Sequence, residues 1–509
     1  MTPNQYTPEE PISSIATALA PAALGIVRVS GKGCIELVSK VFSRPKALLQ
    51  APGNTLVYGW IQDCRVKPDN DKELSSLDLP QLSSPDLPQL SSSGLIRGSI
   101  QKIDEVMLAV YRAPKSFTGE DMVEIFCHGG PAVVMAVQNL MLKSGFRQAN
   151  RGEYTFRAFI NGKTDLTRAE AVKEIIDSHT DVSRSHAAGR LAGSLFEEID
   201  SIKKLIIDTL AAIEVEIEYP EDEETIADSF DRKDIELAEK RLKALADSWN
   251  GEKLYQDGAR VVLAGRTNAG KSSLFNAILK EERAIVSDIE GTTRDWLESW
   301  ASINGIPVRL FDTAGLRQTS DAIEAQGVEI SRSLVHDADV VLYLVDGTSG
   351  MNEEDRQFIE NCKEPLIVVY TKSDKGGGVI RSLSLTTEFP SETRGARGRL
   401  SPPVSKISSK TGEGLSELFG QIYGILTAGI AGGSTERSQA GLGSARQKEA
   451  VSAALESVQH ALVSADDNYT LDAVVQDLED ALDSLGEVTG DVTPDDVLGS
   501  IFANFCVGK

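Results

Sequence analysis

A glycine-rich segment, GRTNAGKSS at residues 265 to 273, constrains the fold of this chain more than any other feature. It follows the apolar run VVLA, and its glycines would let backbone N–H groups surround a phosphate at the N-terminal end of a helix. In such a loop Lys271 would reach the β- and γ-phosphates of a nucleotide, and Ser272 would bind Mg²⁺. Because the loop joins a buried strand to a helix, it predicts an α/β domain that binds a nucleotide.

Apolar runs of strand length recur around this loop, separated by segments long enough for helices. They are VVLAG, IPVRLFD, DVVLYLVDG and PLIVVY. Runs that are apolar at nearly every position are typical of a parallel sheet with helices on both faces. Residues 256–428 are therefore predicted to form a doubly wound domain, with a low-complexity loop insertion rich in Gly, Ser and Arg at about residues 375–403.

Further motifs follow the loop in the order that a GTP site needs. GTTRD offers Thr293 as a second Mg²⁺ ligand and as a sensor of the γ-phosphate, and DTAG places Asp312 near the metal. In TKSD, Asp374 would accept hydrogen bonds from guanine, and ISSKTGEG would lie against the base. Lys271 is also a predicted catalytic residue. The predicted GTP-binding residues are Asn268, Ala269, Gly270, Lys271, Ser272, Ser273, Ser287, Asp288, Ile289, Glu290, Gly291, Thr292, Thr293, Asp312, Thr313, Ala314, Gly315, Thr371, Lys372, Ser373, Asp374, Ser408, Ser409 and Lys410.

Two separate blocks of the chain, residues 161–255 and 429–509, have a helical pattern. Apolar residues recur in each block at spacings of three and four, which places an apolar stripe along a helix. Since each block exposes an unpaired stripe, we expect the two to pack together as one discontinuous helical bundle, into which the nucleotide domain is inserted. The stripes contain Ile199, Ile202, Ile206, Leu210, Ile213 and Ile217 in the first block, and Val451, Ala454, Leu455, Val458, Ala461, Leu462, Leu471, Val474, Leu478, Leu482 and Leu485 in the second.

Residues 1–160 alternate strand-sized apolar runs, such as GIVRVSG and EVMLAVYRAP, with one helical stretch, PAVVMAVQNLMLKSG. Runs of this length bounded by Gly and Pro predict a small α+β domain. A tandem repeat, LDLPQLSS followed by PDLPQLSS, lies inside it. Its Pro and Ser content predicts a mobile surface insertion over about residues 67–95. The fold class predicted for the whole chain is multidomain α/β plus α.

Composition limits the classes of function. The sequence has neither a basic leader nor a run of eighteen apolar residues, so we expect a cytoplasmic protein with no membrane association. The cysteines are scattered and odd in number, which favours reduced thiols over a disulfide framework or a zinc site. With a formal net charge of −24, the chain as a whole repels polyanions. A nucleic acid would therefore be bound at a local basic patch or through a partner.

The nucleotide-binding motifs resemble those of the Ras-like, translation-factor-type GTPases, with two departures. Thr371 stands where those proteins usually have Asn, a change shared with Rho-type GTPases that weakens one contact without removing the preference for guanine. Leu316 follows DTAG, where a Ras-like enzyme has the glutamine that orients the attacking water. Hydrolysis would therefore depend on another residue.

Outside this domain, GIVRVSG, SFTGEDMVEIFCHGGP, RGEYTFRAFINGKTDLTRAEA and the terminal FCVGK resemble the MnmE (TrmE) family of tRNA uridine-modifying GTPases. The resemblance implies a homodimer, formed through an N-terminal domain that binds a tetrahydrofolate derivative. It also implies a heterotetramer or larger complex with GidA (MnmG), an FAD- and NADH-dependent partner. Together they would add aminomethyl or carboxymethylaminomethyl groups at C5 of the wobble uridine of tRNA, with potassium-stimulated GTP hydrolysis driving a conformational change.

The resemblance also implies roles for single residues, by their positions in the family's motifs. The folate contacts would be Arg28, Glu124, Lys163 and Lys509. The potassium ligands would be Asn268, Ser287, Ile289 and Thr292, and the fixed cation would stabilise charge on the transferring phosphoryl group as an arginine finger does. Glu324 matches the family's catalytic glutamate, which orients water. Phe156 departs from the family, which usually has Glu there.

Other interpretations stay open from the sequence. A ribosome-assembly GTPase switch would usually carry a basic RNA-binding module, and no basic segment follows residue 428. An ATPase of the same fold would require that Asp374 does not bind guanine. For Cys506, the residues Gly508 and Lys509 disfavour prenylation, and the apolar context favours a core cysteine. The family resemblance instead favours a modification nucleophile that attacks C6 of uracil.

Overall fold

The computed structural model describes residues 10–63, 101–218, 232–281, 298–312, 333–375, 402–428, 440–466 and 471–508. The strands are β1 (Ile12–Ile15), β2 (Leu24–Ser30), β3 (Thr55–Asp63), β4 (Gln101–Tyr111), β5 (Met122–His128), β6 (Arg147–Gln148), β7 (Ala259–Gly265), β8 (Glu298–Ile303), β9 (Ile306–Asp312), β10 (Val340–Asp346), β11 (Leu366–Thr371) and β12 (Val404–Lys406). The helices are α1 (Cys34–Ser39), α2 (Pro45–Gln50), α3 (Pro131–Lys143), α4 (Glu153–Ile160), α5 (Leu166–Asp177), α6 (Asp181–Ala192), α7 (Ser194–Glu218), α8 (Arg232–Asp257), α9 (Lys271–Glu281), α10 (Glu353–Asn361), α11 (Leu415–Thr427), α12 (Ala445–Asp466), α13 (Leu471–Thr489) and α14 (Asp495–Ala503).

The chain divides into two compact units. The first contains Met1–Ala169 together with Thr493–Lys509, and the second contains Glu170–Val492. The repeat-bearing insertion at residues 67–95 and most of the insertion at residues 375–403 lie outside the described residues.

A six-stranded sheet forms the first unit, in the order β3-β4-β5-β2-β1-β6. Its neighbouring strands are antiparallel except β1 and β6, which are parallel. Side chains alternate along β2, so Val27 and Val29 are buried in the core with α1 and α3, while Ile26 and Arg28 lie on the outer face. The prediction of a small α+β domain is confirmed, and Arg28 places a charge on the sheet face opposite this core.

The last helix, α14, packs in the first unit against α4. The rings of Phe502 and Phe156 meet edge to face with centroids 5.3 Å apart, and both side chains are fully buried. The close approach requires a glycine at position 152, where a Cβ atom would lie 2.5 Å from the Phe502 carbonyl oxygen. The sequence assigned all of residues 429–509 to the helical domain, whereas the structure packs Thr493–Lys509 with the first unit.

Four long helices of the second unit, α7, α8, α12 and α13, share one apolar core. Its members come from both helical blocks of the sequence and include Ile199, Ile206, Val451 and Leu478, each fully buried. The predicted packing of the two blocks as one bundle is confirmed. The stripe periodicity was sufficient for this because helices with unpaired apolar stripes must bury them against each other.

The nucleotide domain of the second unit has a six-stranded sheet in the order β12-β11-β10-β7-β9-β8. All neighbours are parallel except the β8–β9 hairpin. Separate apolar clusters cover its two faces, so the prediction of a doubly wound domain is confirmed. The phosphate-loop segment follows the carboxyl end of β7, where open α/β sheets bind ligands. Among the described residues, no helix has the length and apolar character needed to cross a membrane.

Candidate functional site

The loop between β7 and α9 has the backbone of a phosphate cradle. Gly265 and Gly270 have φ angles of 135° and 94°, and Asn268 has a φ angle of 65°. A Cβ atom at position 265 would lie 2.4 Å from the Leu344 carbonyl oxygen on β10, so only glycine permits this approach. Lys271 Nζ donates to the carbonyl oxygens of Gly265 and Arg266, each at 2.8 Å. The ammonium group is thus held within the loop, where a phosphate would meet it.

A hydroxyl group and a carboxylate lie together where Mg²⁺ is expected. Ser272 Oγ, at the first turn of α9, donates to Asp312 Oδ2 at the end of β9, at a distance of 2.8 Å. Both are hard oxygen donors of the kind that Mg²⁺ prefers. The donor set therefore fits the metal that the sequence predicts, although the second predicted ligand, Thr293, lies outside the described residues.

The predicted guanine-binding motifs lie against the phosphate loop. Thr371 is buried, and its Oγ1 donates to the Ala269 carbonyl oxygen at 2.8 Å. Ser408 Oγ, also buried, donates to Asp374 Oδ1 at 2.9 Å. The hydroxyl of Thr371 therefore contacts the phosphate loop itself, while Ser408 fixes the orientation of the Asp374 carboxylate.

The side chain of Lys372 links the phosphate loop to the end of β10. It has a φ angle of 60°, and its Nζ donates to the Asn268 carbonyl oxygen at 3.0 Å and to Asp346 Oδ2 at 2.6 Å. Burial raises the pKa of Asp346, but the hydrogen bonds from Lys372 and Thr348 outweigh it and bring the pKa to about 2. Asp346 was not among the residues predicted for the nucleotide site. Its position at the end of the predicted strand DVVLYLVDG could have indicated it, because the carboxyl ends of the strands form the site.

The other predicted residues of the nucleotide site differ in how they are placed. Ser273 and Lys410 are exposed, and Ser373 begins a short 3₁₀ turn after β11. Of the potassium ligands, only Asn268 is described. The predicted residues outside the described part of the chain are Ser287, Asp288, Ile289, Glu290, Gly291, Thr292, Thr293, Thr313, Ala314, Gly315 and Glu324.

The first unit brings two of the predicted folate contacts together on its outer sheet face. Arg28 on β2 and Glu124 on β5 are direct partners in the strand register, and their side chains form an ion pair at 2.7 Å. Tyr111 Oη donates to the second Glu124 carboxylate oxygen at 3.4 Å. The Arg28 guanidinium also lies over the ring of Tyr154, 5.5 Å from its centroid. Charged and aromatic groups therefore converge at one place.

Lys163, the third predicted folate contact, is exposed beyond the end of α4. Its stem lies close to Gly119, where an added Cβ atom would be 3.2 Å from Lys163 Cγ. Gly119 belongs to the same loop as Phe117, whose half-exposed ring lies 5.9 Å from the Arg28 guanidinium carbon. The loop thus connects the surroundings of Lys163 with those of Arg28. Sequence reasoning did not select Phe117 or Tyr154.

The C-terminal tail, residues 505–508, lies against this ion pair. Arg28 Nη1 donates to the Gly508 carbonyl oxygen at 2.9 Å, and Val507 forms an antiparallel bridge with Arg151. The Gly152 N–H donates to the Cys506 carbonyl oxygen at 3.4 Å. Cys506 itself is exposed, so the interpretation of this residue as part of the core is wrong. Lys509, the fourth predicted folate contact, lies outside the described residues.

Comparisons with known proteins identify the family of this chain. The family model described as "MnmE helical domain" matches residues 166–506, and the model "GTP-binding protein TrmE N-terminus" matches residues 11–163. The tRNA modification GTPase MnmE of Treponema denticola is 48% identical over 99% of both chains. The protein of the same name from Treponema pallidum (strain Nichols) is 40% identical over the full length of both chains. That of Carboxydothermus hydrogenoformans is 38% identical over 98% of this chain and 100% of its own. This chain belongs to the MnmE family of tRNA modification GTPases.

Proposed function

We propose that this GTPase adds aminomethyl or carboxymethylaminomethyl groups at C5 of the wobble uridine of tRNA, in the cytoplasm, together with the FAD- and NADH-dependent partner GidA (MnmG). The one-carbon unit comes from a tetrahydrofolate derivative bound in the first unit. The observation that carries this proposal is the C-terminal tail lying against the Arg28–Glu124 ion pair. A ligand bound there contacts the tail and the sheet at once.

The chemistry of this cluster suits a folate. A pterin ring presents N–H groups that a carboxylate such as Glu124 accepts, and the glutamate end of the molecule carries carboxylates that bind Arg28, Lys163 or Lys509. The half-exposed ring of Phe117 offers an apolar surface for stacking. The Arg28–Glu124 pair is already formed in the protein, so both groups are oriented before the ligand binds. The exposed Cys506, two residues before Gly508 in the tail, is the candidate nucleophile of the modification.

The nucleotide site supports GTP hydrolysis with Mg²⁺ held by Ser272 and Thr293. When bound, the metal neutralises negative charge that develops on the phosphoryl oxygens. Lys271 and the backbone of residues 265–270 orient the phosphates, and Asp374 selects guanine. Potassium is bound by Asn268, Ser287, Ile289 and Thr292, and Glu324 orients the attacking water in place of Leu316.

The outer sheet face of the first unit supports the homodimer. Leu56 and Tyr58 on β3 and Met107 on β4 point outward and are 60%, 51% and 42% exposed. Tyr58 and Met107 are register partners, and Met107 is also paired with Phe126. An apolar row of this kind on a sheet face is typical of a protein interface. Replacing Met107 with Arg should shift the protein to monomers in analytical ultracentrifugation; an unchanged dimer would place the interface elsewhere.

Nucleoside analysis of tRNA tests the main proposal. In cells that lack this protein, mass spectrometry should find the wobble uridine without its C5 group, and the wild-type gene should restore it. Arg28→Met should fail to restore it, and should weaken binding of a stable tetrahydrofolate derivative at least tenfold, because a charge-assisted contact is lost. Arg44→Met, at an exposed arginine of the same unit, is the matched control. Normal wobble uridine in the deletion strain would refute the proposal.

Two measurements address hydrolysis separately. Replacing potassium with sodium should slow GTP turnover sharply, and equal rates in the two salts would remove the cation from the proposal. Glu324→Ala should preserve GTP affinity while it abolishes turnover. If affinity fell instead, Glu324 would have a structural role.

A further inference from the structure

The chain passes between the helical bundle and the nucleotide domain twice, and the two crossings lie side by side. It leaves the bundle at the end of α8 and enters β7, and it returns through residues 440–444 into α12. Gln256 Nε2, near the end of α8, donates to the Gly443 carbonyl oxygen at 2.8 Å. One residue earlier along the return segment, the Leu442 N–H donates to Ser248 Oγ at 3.3 Å. The two segments that join the nucleotide domain to the bundle are therefore hydrogen-bonded to each other.

Arg190, on α6, lies at this meeting point and is 1% exposed. Its Nη2 is 2.6 Å from Glu174 Oε2 on α5. Its Nη1 is 3.0 Å from Glu252 Oε2 on α8 and donates to the Gly441 carbonyl oxygen at 3.2 Å. A single planar guanidinium thus contacts α5, the bundle helix α8 and the returning chain. Five N–H donors in a fixed plane suit this task, whereas an ammonium on a flexible stem does not.

The return segment fits closely over the two carboxylates. A Cβ atom at position 441 would lie 2.8 Å from Glu252 Cγ, and one at position 443 would lie 2.1 Å from Glu174 Oε1. His186 Nδ1 is 3.1 Å from the same Glu252 oxygen that Arg190 contacts. Charge, hydrogen bonding and shape therefore hold the crossing in one position.

The loop between α5 and α6 also contacts the nucleotide sheet. His179 stacks on Trp300 of β8, with ring centroids 3.9 Å apart and planes 22° apart. Gly305, in the β8–β9 turn, lies where a Cβ atom would be 2.9 Å from Val182. Strand β8 directly follows residues 282–297 in the sequence, and that segment contains the predicted Mg²⁺ ligand Thr293 and three of the four predicted potassium ligands. The helix that carries Arg190 and the loop before it are thus in contact with the hairpin that follows this segment.

We propose that Arg190 is a positioning residue for tRNA modification, which fixes the orientation of the nucleotide domain on the bundle so that the nucleotide state is transmitted to the bundle. Among the described residues, Arg190 contacts Glu174, Glu252 and Gly441, which lie outside the nucleotide site, so its replacement should change transmission more than hydrolysis. The inference rests on the proposed function only where it concerns modification. The orientation of the nucleotide domain on the bundle can be measured without tRNA.

The test compares Arg190→Lys with Arg184→Lys, a matched change on the same helix at a side chain that is 58% exposed. Spin labels are attached at Glu456→Cys on α12 and Glu360→Cys on α10, both exposed positions, after Cys64 and Cys506 have been replaced with Ser. Labelled protein is diluted with unlabelled protein, so that only distances within one chain contribute. Double electron–electron resonance is recorded with GDP and aluminium fluoride.

Arg190→Lys should increase the width of the distance distribution between the two labels by at least half. Arg184→Lys should give the same width as the labelled parent protein. In proteins with their native cysteines, Arg190→Lys should keep GTP turnover within twofold and lower tRNA modification at least fivefold. Equal distributions for the two lysine variants would overturn the inference, and so would a parallel loss of GTP turnover. If Arg190→Lys does not fold, Gly441→Ala gives the same readout, because its methyl group displaces the return segment from Glu252. A normal wobble uridine in the deletion strain would refute the proposed function but leave the distance result intact.

Discussion

Replacing Gly508 with Ala should release the C-terminal tail from the first unit. Gly508 has a φ angle of 99°, a region that costs a residue with a side chain about 1 to 3 kcal/mol. The added Cβ atom would also lie 2.6 Å from the Ile15 carbonyl oxygen, which is backbone and cannot rotate away. With the Arg28 hydrogen bond lost as the tail shifts, we expect docking of residues 506–508 to weaken by about 2 to 3 kcal/mol, which is about 30- to 150-fold.

Hydrogen exchange measured by mass spectrometry reports this docking directly. The Gly152 N–H is bonded to the Cys506 carbonyl oxygen, so peptides that cover residue 152 and the tail should exchange faster in Gly508→Ala. The matched control is Gly162→Ala, since Gly162 has a φ angle of 66° but no atom within 4 Å of an added Cβ. It has a similar backbone cost without the collision, and its tail should exchange as in the wild type. Exchange within twofold of the wild type in Gly508→Ala would refute the reasoning.

Other substitutions test the nucleotide site and the buried charges. Thr371→Val leaves the Ala269 carbonyl oxygen without its hydroxyl donor, so GDP should dissociate about tenfold faster in a fluorescent-nucleotide assay; an unchanged rate would contradict this. Ser408→Ala frees the Asp374 carboxylate, so the preference for GTP over ATP in competition binding should fall several-fold, and an unchanged preference would count against that contact. Burial raises the pKa of Glu174 from its ordinary 4.5 to about 7, so its contribution to stability is present below pH 4.5 and is lost as the pH rises through 7. In urea unfolding, stability should therefore decline by up to about 3 kcal/mol between pH 5 and pH 8, and Glu174→Gln should flatten this slope; equal slopes would show that Glu174 does not titrate there.

Sequence patterns predicted the fold where a local rule determines the packing. The stripe containing Ile199 and Ile206 has no other way to be buried than against a second stripe, so the bundle could be expected. The packing of Phe502 in the first unit could not be expected, because an apolar segment does not specify which residues it packs against. Its partner, Phe156, lies in a distant motif, and only the three-dimensional packing brings the two rings together.

The residues of the candidate sites also fall into two groups, those that the sequence predicts and those that only the fold reveals. Lys271, Ser272 and Asp374 lie in motifs whose spacing determines their geometry, so their chemistry could be predicted from the sequence. Arg190 and Glu252 instead come from helices far apart in the chain, and each has the pattern of an ordinary surface charge on a helix. They are buried together only because these helices cross, and the spacing of residues in the sequence does not predict that crossing.

The hydrogen bond between Arg28 and Gly508 joins positions 480 residues apart. A ribosome therefore completes the bundle and the nucleotide domain before the segment that finishes the first unit leaves the exit tunnel. A chain that stops early, after residue 492, would possess every described residue of the GTP site but would lack Phe502, Cys506 and the contact to Arg28. The first unit thus depends on a segment that follows residue 492, whereas the described residues of the GTP site all precede it.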